Sequence, residues 1–295
     1  VFPPTTVAAT TSICSGLYPV EHCWLGWDCY YPKIDKTVTV FLNREAGTTK
    51  PAADYPVAKT LCPYQSLVEQ IRENGGQAYS LIPFEEPYPG TFEEISDWIE
   101  KLTKRPGKKY IYAYWPEPDG CMHEKGCYSP EAKETLRQLE KQVQELTEKL
   151  SNTVVIVTAD HGHMDSRGVA IEDYPKITDC LKRGLSLEPR AVNFFVKEEK
   201  KQQFEEEFRK NFGDTFLLLT KEEVREKQLF GPGKEGAAFD GMLGDYLAAA
   251  VSDLSIYSHK KEADFFIGVH AGLLEDEMVI PLLLIGSGKS PASIA

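Results

Sequence analysis

No apolar run in the sequence approaches the roughly 18 residues that a membrane-spanning helix needs. The first residues also lack the basic segment of a signal peptide. The chain contains no internal repeat and no low-complexity tract. We therefore predict a soluble chain without a membrane segment.

The cysteines do not form any C-x-x-C pair. There are seven of them, an odd number, namely Cys14, Cys23, Cys29, Cys62, Cys121, Cys127 and Cys180. This arrangement argues against a disulfide framework and against a zinc knuckle. Reduced thiols, and with them a cytoplasmic location, are the simpler expectation.

Basic residues are fewer than acidic ones, 33 against 45, and the formal net charge is −12. Such a charge repels polyanions and argues against duplex nucleic acid as a ligand. Two bound divalent cations would add about +4 at one spot, so an acidic protein can still bind a small phosphate ester there. The sequence leaves the oligomeric state open.

The 295 residues are 42% hydrophobic and 26% charged, which is ordinary for a globular protein with a substantial core. Short β-branched or aromatic runs predict strands that are covered on both faces, at residues 37–42, 110–115, 154–158, 193–196 and 280–285. The clearest helical pattern covers residues 131–150, with Ser129 as N-cap and Pro130 at the first helical position. Because strands and helices alternate, we predict an α/β fold with a parallel sheet.

The composition changes between about Leu185 and Ser258. A charged stretch at residues 197–210 is followed there by a glycine-rich segment at 230–236. We interpret residues 185–262 as an inserted cap subdomain, and residues 1–184 with 263–295 as the core. An ordinary continuation of the core is the alternative, and the sequence separates the two only weakly.

The motif TADHGH at residues 158–163 directly follows the apolar run 154–157. Ligands bind at the carboxyl ends of strands in open α/β sheets, so Asp160 and His161 are expected at such an edge. Carboxylate and imidazole are ligands that zinc and related cations prefer. The alternative is that Asp160 caps a helix and that His161 is a surface histidine. We interpret His163 as support for the ligands and not as a ligand.

A second strand end carries an aspartate that is followed four residues later by a histidine. These residues are Asp119 and His123, after the predicted strand 110–115. Because Pro118 and Gly120 flank the aspartate, we predict a loop folded around an ion and not a regular helix. A surface turn is the alternative, and the presence of two Asp and His pairs makes it less favoured.

Two further residues become candidates for the same site because these two pairs are present. His270 follows the apolar run 265–267, although a lone histidine is more often structural than a ligand. Thr6 lies in the segment FPPTT near the amino terminus, and its hydroxyl is a poor nucleophile unless a base or a metal lowers its pKa. If Thr6 heads a helix, the backbone N–H groups there favour a phosphate. An N-capping threonine is the alternative.

In this order, the four elements resemble the nucleotide pyrophosphatase and type I phosphodiesterase branch of the alkaline phosphatase superfamily. The segment from FPPTT to SGLYP resembles the family's nucleophile segment, and Thr6 stands at the position of its nucleophilic threonine. The motifs around Asp119, Asp160 and His270 match the family's later metal motifs. The resemblance implies an alkaline-phosphatase-like α/β fold, with a mainly parallel sheet flanked by helices and an inserted smaller cap.

The resemblance also implies a chemistry that uses two divalent metal ions, with zinc as the expected species. One ion would be held by Asp119, His123 and His270, and the other by Asp160, His161 and the Thr6 oxygen. Thr6 would attack phosphorus and form a phospho-threonine intermediate. The family has one further ligand, an aspartate at the end of a strand that precedes the nucleophile, and we expect this ligand and its strand to lie outside the sequence.

We therefore predict hydrolysis of a small phosphoester substrate, specifically a phosphodiester or a nucleotide pyrophosphate. Among enzymes, the alternative is a phosphomonoesterase, phosphonate hydrolase or phosphomutase of the same superfamily. A non-catalytic relative that keeps the fold is the alternative outside enzymes. Retention of Thr6 together with five candidate ligands argues against this last alternative, whereas the absent upstream aspartate argues for it.

Overall fold

The computed structural model describes residues 1–82 and 89–287. Unit 1 consists of Val1–Tyr64 with Asp160–Val279, and unit 2 consists of Gln65–Ala159 with the segment that begins at Ile280. These boundaries differ from the predicted division into core and cap, which stays a prediction. The predicted core ranges also include residues 83–88 and 288–295, which lie outside the described residues. None of the described helices is long and apolar enough to cross a membrane.

The strands are short, and most of them belong to unit 1. They are β1 (Asp28–Tyr31), β2 (Lys36–Thr39), β3 (Arg44–Glu45), β4 (Gln77–Leu81), β5 (Lys109–Ala113), β6 (Thr153–Thr158), β7 (Met164–Asp165), β8 (Arg167–Ala170), β9 (Ser186–Glu188), β10 (Ala191–Phe194), β11 (Phe216–Thr220), β12 (Tyr246–Ala250), β13 (Leu254–Tyr257), β14 (Gly268–Val269) and β15 (Leu282–Ser287). All five predicted strands are found, with bounds shifted by up to three residues.

The helices are α1 (Thr6–Ser15), α2 (Pro19–His22), α3 (Val57–Leu61), α4 (Leu67–Glu73), α5 (Phe92–Thr103), α6 (Asp119–Lys125), α7 (Pro130–Lys149), α8 (Pro175–Thr178), α9 (Lys201–Phe212), α10 (Lys221–Glu226), α11 (Phe239–Met242), α12 (Lys260–Ala263) and α13 (Glu275–Met278). The predicted helix is α7, where the Ser129 hydroxyl accepts a hydrogen bond from the Ala132 N–H at 3.1 Å.

The largest sheet lies in unit 1 and contains seven strands in the order β11-β12-β10-β9-β1-β2-β3. Every neighbouring pair in this sheet is antiparallel. The α/β class is confirmed, whereas the prediction of a mainly parallel sheet is wrong for the largest sheet. The reason is local, because Pro189 and Arg190 alone connect β9 to β10 and an antiparallel pair needs no crossover helix.

Aromatic side chains of α9 pack against this sheet. Phe204, Phe208 and Phe212 recur at helical spacing along α9 and are buried. The ring centroids of Phe204 and Phe208 lie 5.7 Å apart, and those of Phe204 and Phe194 of β10 lie 5.1 Å apart. Tilted and offset aromatic pairs at such distances add to the gain from burial. The charged stretch 197–210 therefore belongs largely to an amphipathic helix, and the apolar face of this helix is part of the hydrophobic core.

Among its described residues, unit 2 contains two sheets of two strands each, the parallel pair β4–β5 and the antiparallel pair β6–β15. The helix α6 follows β5, and Asp119 is its first residue. The prediction of a loop at Asp119 is therefore wrong. Pro118 is tolerated because it precedes the helix, and Gly120 costs only about 1 kcal/mol relative to alanine. The spacing of four from Asp119 to His123 is one helical turn.

A buried histidine makes the stability of unit 1 dependent on pH. His22 is 2% exposed, its Nδ1 accepts a hydrogen bond from the Trp24 N–H at 3.0 Å, and its Nε2 lies 3.0 Å from the Ser12 hydroxyl. Burial lowers the pKa of His22 to about 4. The unfolded chain therefore binds a proton below pH 6.5 that the folded chain does not bind, and stability falls as the pH decreases from 6.5 to about 4.

We expect His22 alone to lower the free energy of unfolding by about 2 kcal/mol between pH 7 and pH 5. The variant His22→Asn keeps an acceptor for the Trp24 N–H and does not titrate, so its decrease should be smaller by this amount. Urea unfolding at the two pH values measures the difference. The control is His259→Ala, since the hydrogen bond of exposed His259 to Glu172 raises the pKa of His259, which gives the opposite sign. An equal decrease in His22→Asn and the wild type would contradict the assignment.

Candidate metal centre and nucleophile

Thr6 is the first residue of α1, and Thr5 is the N-cap residue in an extended conformation. The alternative of an N-capping Thr6 is therefore wrong. The Thr5 hydroxyl does not cap the helix and donates instead to Glu188 Oε1 at 2.5 Å. The first turn of α1 contains no acidic residue. Its backbone N–H groups are thus suited to the negative charge of a phosphate beside Thr6.

The Thr6 hydroxyl lies 3.1 Å from Nε2 of His161. His161 follows the end of β6, and its other ring nitrogen, Nδ1, lies 2.8 Å from the carbonyl oxygen of Gly162. A carbonyl can only accept, so Nδ1 carries the proton and Nε2 carries the lone pair. His161 Nε2 can therefore accept a hydrogen bond from Thr6 or ligate a metal.

Asp160 lies beside the same nitrogen. Its Oδ1 accepts a hydrogen bond from the His161 N–H at 3.2 Å, and its Oδ2 is 3.7 Å from His161 Nε2. Both side chains of the pair are shielded, with 14% of the Asp160 side chain and 3% of the His161 side chain exposed. The structure thus brings together Thr6, Asp160 and His161, one of the two predicted ligand sets.

His270 follows β14 and lies next to this set. Its imidazole stacks on that of His161 with a centroid separation of 3.7 Å and an interplanar angle of 22°. Nδ1 of His270 donates to the carbonyl oxygen of Pro4 at 3.0 Å, which leaves the lone pair on Nε2. His163 completes a group of three imidazoles, 5.4 Å from His270 and 6.0 Å from His161 between centroids.

In unit 2, Asp119 and His123 lie on one face of α6. His123 Nε2 is 3.4 Å from Asp119 Oδ1. Two ligand atoms that each lie about 2.1 Å from one tetrahedral zinc ion are separated by roughly this distance. The pair can therefore provide two ligands to one ion without a change of rotamer.

The residues fit a divalent metal. Within unit 1, His161, His163 and His270 are candidate ligands, and within unit 2 Asp119 and His123 are candidate ligands. Ligating histidines commonly donate their second ring N–H to a backbone carbonyl, and His161 and His270 both do so. Arg190 and Glu277 lie close to the loops of these two histidines and form an ion pair. No local sequence pattern distinguishes them, so they are not among the predicted site residues.

Comparison with protein families gives one match over most of the chain. Residues 1–271 match the model of the type I phosphodiesterase / nucleotide pyrophosphatase family. Comparison with curated protein sequences gives no match.

Solved structures with the same fold include two from mammals. Murine ectonucleotide pyrophosphatase/phosphodiesterase 5, an inactive threonine-to-alanine variant in complex with AMP, is similar with a TM-score of 0.72 and 18% sequence identity, over 98% of this chain and 78% of that chain. The human ectonucleotide pyrophosphatase/phosphodiesterase 5 is similar with a TM-score of 0.75 and 19% identity, over 98% and 80%. Similarity at this level of identity shows a shared fold alone.

Proposed function

The chain belongs to the type I phosphodiesterase/nucleotide pyrophosphatase family and is therefore a phosphoric ester hydrolase. On this premise, we propose that it cleaves phosphodiesters or nucleotide pyrophosphates through a covalent intermediate on Thr6. The observation that carries the proposal is the position of the Thr6 hydroxyl, at the start of α1 and 3.1 Å from His161 Nε2. The murine relative, which is inactive as a threonine-to-alanine variant, supports a catalytic threonine.

In the proposed reaction, the Thr6 hydroxyl releases its proton to solvent, and its oxygen forms a bond to phosphorus while the bond from phosphorus to the leaving oxygen breaks. The leaving oxygen then takes up a proton from solvent. The carbonyl of Gly162 fixes the ring of His161 and so holds Nε2 3.1 Å from the Thr6 oxygen, which allows both atoms to ligate the same ion. The N–H groups of the first turn of α1 donate to the phosphoryl oxygens. Water then cleaves the bond between phosphorus and the Thr6 oxygen, which regenerates the hydroxyl.

We propose that Asp160, His161 and the Thr6 oxygen hold one divalent metal ion, with zinc as the expected species. A second ion would be held by the other ligand set that the family resemblance implies. When bound, such ions lower the pKa of the threonine hydroxyl and neutralise the charge that develops on the leaving oxygen. The anchored tautomers of His161 and His270 support this assignment, since both present Nε2 as the ligating atom.

AMP in the murine relative supports a nucleotide as the substrate class. Its phosphate could bind at the start of α1, and the local charge of two cations would offset the net charge of −12 that otherwise repels an anion. A phosphomonoester is the second candidate from the sequence, since both classes share the phosphoryl group that Thr6 would accept.

Hydrolysis assays with two chromogenic substrates test the proposal. We expect the purified chain to bind zinc and to hydrolyse bis(4-nitrophenyl) phosphate faster than 4-nitrophenyl phosphate. Removal of metal with a chelator should abolish the activity, and added zinc should restore it. Faster hydrolysis of the monoester would favour a phosphomonoesterase. A chain that binds zinc and hydrolyses neither ester would be a non-catalytic relative.

A further inference from the structure

A buried ion pair joins the hairpin between β9 and β10 to α13. Arg190 and Glu277 are both completely buried, with 0% of each side chain exposed. Nε of Arg190 donates to Oε1 of Glu277 at 2.6 Å, and Nη2 donates to Oε2 at 2.7 Å. This bidentate arrangement fixes the carboxylate plane as well as its position.

Two further donors of Arg190 are also used. Nη1 donates to the carbonyl oxygen of Leu254 at 2.9 Å, and Nη2 donates to that of Ser252 at 2.8 Å. A buried ion pair adds little net stability compared with apolar residues of the same volume, because both charges lose their hydration. Stability alone is thus a weak explanation for this pair.

Glu277 also binds the backbone of the segment that follows His270. Its Oε1 accepts a hydrogen bond from the Gly272 N–H at 2.6 Å, and its Oε2 accepts one from the Leu274 N–H at 3.3 Å. Gly272 is only two residues away from His270 in the sequence. The carboxylate therefore fixes the turn that carries the His270 imidazole.

The same residue holds the loop of His161 through its main chain. The carbonyl oxygen of Glu277 accepts a hydrogen bond from the Gly162 N–H at 2.8 Å. A Cβ at Gly162 would lie 2.0 Å from the carbonyl oxygen of Asp276, so only glycine permits this approach. One short helix, α13, thus fixes the chain beside both histidines.

The backbone between His270 and Gly272 is strained. Ala271 has a φ of +90°, a conformation that residues with a Cβ rarely adopt. Such a conformation persists only where the surroundings hold it, and the hydrogen bond from Gly272 to Glu277 is one such contact. Without it, the turn can relax and His270 can move.

We propose that Arg190 and Glu277 form a positioning pair, which holds the loops of His161 and His270 so that both imidazoles present Nε2 to a metal ion. This inference rests on the proposed function, since it concerns the ligands of that same site. Neither residue belongs to a proposed ligand set, and the pair acts through the backbone of Gly162 and Gly272. A pair with a merely structural role would leave the metal affinity of the folded chain unchanged.

The first test is Glu277→Asp, which keeps the charge beside Arg190 but shortens the side chain by about 1.5 Å and so removes its reach to the Gly272 N–H. We expect the affinity for zinc, measured by competition with a chromogenic chelator, to fall about 10- to 100-fold. The control is Glu235→Asp, since Glu235 also forms a bidentate pair, with Arg225 at 2.8 and 3.1 Å. The control should bind zinc like the wild type.

The second test leaves both charges in place. In Gly272→Ala the added Cβ would lie 2.6 Å from Oε2 of Glu277 and 2.9 Å from Nη2 of Arg190, so it forces the carboxylate away from the turn. We expect a loss of zinc affinity in the same range as for Glu277→Asp. The matched control is Gly184→Ala, where a Cβ meets no atom within 4 Å. This variant tests the inference even if Glu277→Asp does not fold.

A rescue variant separates positioning from a general loss of structure. Adding Ala271→Gly to Glu277→Asp removes the strain at position 271, so the turn no longer needs the carboxylate to hold it. We expect the double variant to regain at least about tenfold in zinc affinity over Glu277→Asp. A structural role would give no such recovery, because glycine at position 271 cannot restore the contacts that the shortened carboxylate has lost.

The outcomes distinguish this inference from the proposed function. If the wild type does not bind zinc, the metal centre itself is wrong. If the wild type binds zinc and both folded variants, Glu277→Asp and Gly272→Ala, bind it within twofold of the wild type, the positioning role is overturned. Circular dichroism and thermal unfolding in the presence of a chelator establish that each variant is folded.

Discussion

Replacing Thr6 by alanine is expected to lower the hydrolysis of a phosphodiester by at least about 10³-fold, which corresponds to about 4 kcal/mol of transition-state stabilisation. The substitution removes the oxygen that attacks phosphorus and, in the proposed metal site, one ligand. It opens no cavity in the core, because Thr6 is only partly buried. The fold and most of the zinc affinity should therefore remain. Initial rates at saturating zinc, together with a zinc titration, measure both effects.

Two variants of the same helix serve as controls. Thr6→Ser keeps a hydroxyl at the start of α1 and should retain part of the activity. Thr10→Ala removes a hydroxyl one turn later, which donates to the carbonyl oxygen of Thr6 at 2.6 Å, and should change the rate only slightly. If Thr6→Ala hydrolyses the diester at a near-normal rate, water attacks phosphorus directly and the covalent role of Thr6 is wrong.

The helices and strands were predictable wherever the pattern is local. The helix α7 follows from Ser129, Pro130 and leucines at helical spacing, and it lies within one residue of its predicted bounds. The direction of the strands was not predictable in this way. A strand that is covered on both faces has the same composition in a parallel and in an antiparallel sheet, and the pairing of β1 with β9 joins residues far apart in the sequence.

The candidate site was predictable from the motif at residues 158–163 and from the segment around Thr6, because each contains side chains that suit a metal ion or a phosphate. The contact of Thr6 with His161 spans 155 positions and could only be inferred through the family resemblance, which the family comparison confirms. The prediction of a loop around Asp119 is wrong, because Pro118 precedes the helix and does not break it.

The Arg190–Glu277 pair shows the limit of sequence reasoning more clearly. A glutamate in the run EDEM has the composition of an exposed helix start, and three acidic residues in the first turn of α13 are usual there. Its complete burial depends on an arginine 87 positions away. A residue can therefore be essential to the geometry of a site without any local feature that distinguishes it from surface charge.

Replacing either of two predicted metal ligands, His123 or His270, by alanine is expected to reduce the affinity for zinc about tenfold or more. Each imidazole supplies one ligating nitrogen. For His270, the hydrogen bond from Nδ1 to the carbonyl of Pro4 leaves Nε2 as the ligating nitrogen. For His123, the pairing with Asp119 on α6 places Nε2 within reach of an ion. Activity at low zinc should fall with the affinity. Both quantities should recover partly when zinc is added in excess.

A zinc titration of activity separates these variants from Thr6→Ala, whose activity should stay low at every zinc concentration because the attacking oxygen is absent. The matched control is His259→Ala, since His259 is an exposed histidine whose partner is Glu172 and which lies outside every predicted ligand set. This control should show the wild-type zinc dependence. If His270→Ala behaves like His259→Ala, His270 is not a ligand, and its stacking on His161 has a structural role alone.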